Sequence, residues 1–150
     1  MKLFKKISHV LLVSCVGTLG CGKGDSVVLV PASGTVMLDE KPVAGVAVTL
    51  IPQEGVLGRG GYATSGVDGT FALQAEPEAI GVAAGTYRVL LQKYAMPDGT
   101  PVPPGTSAAD ANLINQLPAL YSHPERSPFS VTIPSADGQA LSFKMSSNLR

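Results

Sequence analysis

From Ser33 onward, turn-forming residues interrupt the chain at intervals of about 8 to 12 residues, and the apolar stretches between them alternate with a period of two. A chain punctuated this often has no room for helices of useful length and reads as short strands joined by tight turns. The composition agrees: there are 17 Gly and 12 Pro and no Trp, and aromatic residues make up 5%. With 150 residues, the chain accommodates one ordinary domain and its terminal segments.

The pattern predicts seven strands. Ser33 to Leu38 is extended and ends in the turn Asp39-Glu40-Lys41-Pro42. Val46 to Pro52 places Val46, Val48 and Leu50 on one face and Ala47, Thr49 and Ile51 on the other. Tyr62-Ala63-Thr64 and Thr70 to Gln74 are expected to form a hairpin across Asp68-Gly69, a pair that tolerates φ > 0 at both central positions. Gly85 to Gln92 sets Tyr87, Val89 and Leu91 against Arg88, Leu90 and Gln92, and the last two strands are Phe129 to Ile133 and Ala140 to Met145. Residues 95–127 break this rhythm with repeated prolines, and Ser107 followed by Asp110 resembles a helix N-cap. The expected fold is therefore all-β, a seven-stranded antiparallel β-sandwich with a long Pro-rich loop that carries a short helix between Ser107 and Leu117.

The first twenty residues follow different rules. Lys2, Lys5 and Lys6 precede a mostly apolar stretch from Ile7 to Leu19, of signal-peptide length and shorter than the roughly 20 residues of a membrane span. The stretch ends in Thr18-Leu19-Gly20-Cys21, which resembles a lipobox, the site at which a signal peptide is cut just before a cysteine that carries diacylglycerol. Leu12-Val13-Ser14-Cys15 is a rival that fits the letters better, but the apolar stretch before it is short and interrupted by His9. An ordinary secretory signal with incidental cysteines is the third reading. Cleavage at Cys21 divides the chain into a signal peptide (1–20), a lipidated cysteine with its tether (21–32) and a folded domain (33–150). Two or more acyl chains, palmitate among them, anchor a protein stably where one does not. The mature chain keeps eight basic and eleven acidic residues, a net charge of −3 with no electrostatic footprint for nucleic acid.

Three segments taken in order resemble the carboxypeptidase-regulatory-like, or transthyretin-like (prealbumin-like), domains of bacterial envelope lipoproteins. Ser33-Gly34-Thr35-Val36 through Lys41-Pro42-Val43-Ala44-Gly45-Val46-Ala47-Val48-Thr49-Leu50 is similar to the opening G-x-V-x-x-x-G-x-P-V-x-G-A-x-V. Thr64 through Phe71 is similar to T-D-x-x-G-x-F, and Gly85-Thr86-Tyr87-Arg88-Val89 to G-x-Y-x-V. Leu117 to Tyr121 and Ser127 to Val131 extend the likeness, while Glu40-Lys41 departs from it where a turn glycine is usual. The resemblance implies a transthyretin-like sandwich with a structural or binding role and no common catalytic set. The enzymatic branch of that fold, the 5-hydroxyisourate hydrolases, uses several histidines, an arginine and a C-terminal Tyr-Arg-Gly-Ser. Here His123 is the single histidine beyond the signal peptide, and the chain closes Ser146-Ser147-Asn148-Leu149-Arg150.

The chemistry-bearing residues are sparse. His123, Glu125 and Arg126 lie close together in a Pro-containing loop, and an envelope hydrolase built on the 95–127 loop around His123 is the catalytic alternative. Asp68, Asp98 and Asp137 each precede a glycine and read as turn residues, since the alternating carboxylates of a calcium loop are missing. Gly58-Arg59-Gly60-Gly61 lacks the strand-to-helix context of a phosphate loop and reads as a strand connection. Tyr62, Tyr87, Tyr94 and Tyr121 would serve a carbohydrate-binding module if exposed together, and otherwise pack the core. No metal and no cofactor is expected. The expected role is a lipid-anchored module on the non-cytoplasmic side of the cell envelope, without catalytic activity. Its expected partners are the membrane, through the anchor, and an unidentified envelope protein or glycan.

Overall fold

A computed structural model describes residues 27–106, 112–134 and 140–148. Both cysteines, Cys15 and Cys21, lie outside these residues, as do Ser107, Asp110 and Asp137. In chain order the strands are β1 (Leu29–Val30), β2 (Ser33–Leu38), β3 (Lys41–Pro42), β4 (Ala47–Pro52), β5 (Gly61–Thr64), β6 (Thr70–Ala72) and β7 (Gln74–Glu76). They continue as β8 (Ala79–Ile80), β9 (Val82–Ala83), β10 (Gly85–Gln92), β11 (Tyr94–Ala95), β12 (Ile114–Asn115), β13 (Ser130–Ile133) and β14 (Leu141–Met145). Helical structure among the described residues is limited to one 3-10 turn, Ala119–Ser122, and no helix there is long and apolar enough to cross a membrane.

Alternation in the sequence builds the larger sheet, an antiparallel array in the order β13-β10-β4-β5-β7-β8. Leu50 pairs with Val89 and Val48 with Leu91, so the apolar faces of β4 and β10 coincide and bury the same side. The second sheet is centred on β2, with β14 on one edge and β3 and β6 sharing the other. It contributes Val36, Phe71, Phe143 and Met145 to a core shared with the first sheet. The aromatic rings form a chain through that core, Phe71 to Phe143 at 5.6 Å, Phe143 to Phe129 at 5.4 Å and Phe129 to Tyr121 at 5.6 Å between centroids. Two sheets with one shared core and no barrel closure make an all-β architecture consistent with a sandwich.

All seven expected segments contain strands, but the chain uses more and shorter elements, and three expectations need correction. The Thr70 to Gln74 segment is two strands in two different sheets. Leu73, fully buried, marks the crossing, and its N–H donates to the Ala32 carbonyl at 2.8 Å. The Asp68-Gly69 turn does form, yet β6 beyond it pairs with β2 instead of closing a hairpin with β5. Phe71 and Leu73 both reach the shared core, Phe71 from the second sheet, where it stacks on Phe143.

The second correction is direction. β14 runs parallel to β2, so the sandwich is not purely antiparallel. The two backbones come close enough at Gly34 that a Cβ there would collide with the Leu141 carbonyl and the Phe71 ring, which accounts for a glycine inside a strand. The third concerns the expected helix. Residues 107–111 of it lie outside the described residues, and 112–117 are not helical, with Ile114–Asn115 in β12. At the N-terminal side, Leu29–Val30 of the expected tether are already part of the fold, paired with Val82–Ala83.

Candidate functional site

The strands give the molecule two ends. β2 and β10 run from the end where the chain enters at Val27, here called proximal, and β4 runs back toward it. Six residues of β2 span about 20 Å, which separates the proximal end from the distal one. The distal end carries the loops 38–46 and 93–102, with β12 beside them, and a groove lies among them. One part of it, about 400 Å³, is walled by Tyr94, Pro101 and Val102, and a neighbouring hollow of about 480 Å³ is walled by Asp39, Lys41 and Pro42. Ala44 and Lys93 line both, so the two form one surface.

Local chemistry sets the shape of this groove. The Asp39-Glu40 turn joins β2 to β3 as a two-residue hairpin with both residues left-handed, φ 49° and 64°. Its far side is tied down: Asp39 N–H donates to the Met145 carbonyl at 3.0 Å, and the Asp39 carboxylate accepts from Ser147 N–H at 3.1 Å. The hydroxyl and amide of Ser147 hold the Asp39 carboxyl below the usual carboxylate range. The 43–46 segment hangs on Ser65, which is buried. Its Oγ donates to the Val43 carbonyl at 2.6 Å and accepts from Val46 N–H at 2.9 Å.

The opposite wall is the segment expected as a loop. Asp98-Gly99-Thr100 repeats the letters Asp68-Gly69-Thr70 and repeats their geometry. In each the aspartate carboxylate accepts from the threonine amide, at 3.1 and 2.9 Å, and from the threonine hydroxyl, at 2.7 Å in both. Those bonds, the hydroxyl first, hold both carboxyls below their usual range and leave them as turn locks. The turn brings Pro101 beside Ala95, while β11 pairs with β12. The Asn115 side-chain carbonyl accepts from Lys93 N–H at 3.0 Å and Leu117 N–H at 3.1 Å, fixing the register. Sequence reasoning missed Lys93, Gln116 and Val102 as groove residues; the duplicated Asp-Gly-Thr was the signal that 95–101 is a built turn.

The remaining candidates separate. The Tyr87 hydroxyl donates to the Ala83 carbonyl at 2.8 Å, and burial pushes its pKa up. The Tyr121 hydroxyl bridges the Ser146 carbonyl and amide. Both rings are buried, while Tyr94 is 43% exposed in the groove and Tyr62 is exposed on the large sheet, so the four do not form one platform. The His123 Nδ1 accepts from Glu125 N–H at 3.2 Å, and the Glu125 carbonyl accepts from the Arg88 guanidinium at 2.8 Å. These bonds, with Ser127 Oγ donating to the Val89 carbonyl at 2.6 Å, pin the 121–127 loop along β10. Gly60, at φ 93°, and Gly61 are required because a Cβ would meet the Leu50 carbonyl and Val82, so the Gly58-Arg59-Gly60-Gly61 run is a packing device. Among the described residues no three His, Cys, Asp or Glu side chains converge as a metal site would require. Comparison with protein families, curated proteins and solved structures finds no match to this chain.

Proposed function

We propose that the protein is a lipid-anchored module of the cell envelope, held by an acylated Cys21, that binds a partner in the distal groove and performs no catalysis. The observation that carries this reading is polarity of layout: the chain enters at one end of the sandwich, six residues after Cys21, and the preformed groove opens at the other. A tether at one end leaves the groove facing away from the membrane that holds it. The transthyretin-like topology belongs to the same proposal. It is supported by the three sequence segments, whose residues fall on β2, β4, β6 and β10 and on the turns beside them.

A glycan is the partner class that one observation favours. Tyr94, with an exposed ring, lines the same groove as Lys93 and Gln116, and an apolar face with a few polar groups is what sugar rings require.

Intact mass of membrane-extracted protein tests the anchor. Acyl chains on a mature chain beginning at Cys21, abolished by Cys21→Ser and kept in Cys15→Ser, are expected; an unacylated wild type overturns it. Pelleting with purified peptidoglycan sacculi tests the groove. Tyr94→Ala and Lys93→Ala are expected to lower the pelleted fraction at least fivefold with unchanged thermal unfolding, and pelleting equal to wild type overturns the groove as the binding site.

A further inference from the structure

The proximal end has its own surface. β1 pairs with β9 and also touches β8, so the first residues of the domain lie beside the β7–β8 turn. Val27, Leu29, Ala79, Ala83 and the Gly58-Arg59 segment line a hollow of about 410 Å³ there. Next in the chain to these lining residues are three of the most exposed large apolar side chains among the described residues: Val28 at 79%, Leu57 at 70% and Ile80 at 69%. They come from three separate segments, so one irregular loop does not account for them. Exposed apolar side chains gathered on one tip mark a surface that meets something.

The sequence limits what that can be. Five residues, Gly22 to Ser26, separate Cys21 from Val27, and six Cα steps reach at most about 22 Å. Resting on the lipid-anchored reading above, we infer that the proximal tip, with Val28, Leu57 and Ile80 at its rim, lies against the lipid bilayer that holds the anchor. The tether keeps this tip within reach of the headgroups, which makes the contact intramolecular, at an effective concentration in the millimolar range. The apolar side chains then enter the interface as the second membrane signal beside the acyl chains. The hollow is also lined by Glu76 and Arg59, one charge of each sign, so the attraction is apolar and not electrostatic.

The acylated full chain tests this directly. Once Cys21 is acylated the mature sequence has no free thiol, so a cysteine introduced by Leu57→Cys, Ile80→Cys or Val67→Cys is the sole labelling site. Val67, 94% exposed in the turn between β5 and β6, is the control. Each variant is labelled with a polarity-sensitive fluorophore and placed in phosphatidylethanolamine and phosphatidylcholine vesicles whose acyl chains carry nitroxide quenchers. Labels at 57 and 80 are expected to shift to the blue and to be quenched at least twofold more than the label at 67. Equal, water-like emission at all three positions overturns the inference. A blue shift at 57 and 80 without lipid quenching also overturns it, in favour of a second copy or another protein on the tip. Intact mass of the same preparation separates the two readings: acyl chains with a wet tip remove the contact alone, and absence of acyl chains removes the anchor and the contact together.

Discussion

At the residue scale, a few polar side chains do structural work out of proportion to their size. Ser65 satisfies one buried N–H and one carbonyl of the 43–46 segment, so removing its hydroxyl leaves both without a partner. Ser65→Ala is expected to cost about 1–3 kcal/mol in denaturant unfolding and to loosen the groove wall, with faster amide exchange at Val46. The turn aspartates give the fold an acid limit. Asp39, Asp68 and Asp98 all titrate below the ordinary value of 3.8 because their carboxylates are hydrogen-bonded in the folded chain. A depressed folded pKa contributes stability above the unfolded value, and that stability is lost as pH falls through the folded one. The unfolding midpoint is therefore expected to drop as pH falls below about 4, and Asp68→Asn with Asp98→Asn to flatten that limb. All three carboxyls are exposed, so the drop is shallow.

At the element scale, the strands of the two central ladders were legible because one face is uniformly apolar and the other is mixed, although Leu90 on the mixed face is buried as well. Val46, Val48 and Leu50, and Tyr87, Val89 and Leu91, are buried as alternation demands. What alternation does not encode is the partner of a strand. Thr70 to Gln74 reads as one strand, yet the chain passes from one sheet to the other at Leu73 within it. The two-residue strands β11 and β12 were illegible for a related reason, since they are held by the Asn115 side chain and by a turn instead of by an apolar face. Of the groove, Tyr94 was marked as a candidate by its chemistry, whereas Lys93 and Val102 joined it only through tertiary folding. The Asp39-Glu40 turn offers a direct measurement. Glu40 sits at φ 64°, which costs a residue with a Cβ about 1 kcal/mol that glycine avoids. After the larger unfolded-state entropy of glycine is subtracted, Glu40→Gly is expected to stabilise by roughly 0.5 kcal/mol and to raise Tm by about 2–3 °C.

At the scale of the whole molecule, the core closes through contacts between distant parts of the chain. Phe143 stacks on Phe71 and meets Phe129, and β14 completes the sheet centred on β2. A chain ending at residue 139 is expected to lose its cooperative thermal transition, because Val36 and Phe71 would face water where Phe143 and Met145 now stand. Scanning calorimetry of that truncation checks it. The same parallel ladder also sets a clock. β2 is complete early in synthesis, but its partner emerges on the order of a hundred residues later, so the chain stays open along one wall for most of its manufacture. A molecule wired in this way cannot complete its second sheet until its last strand has been made.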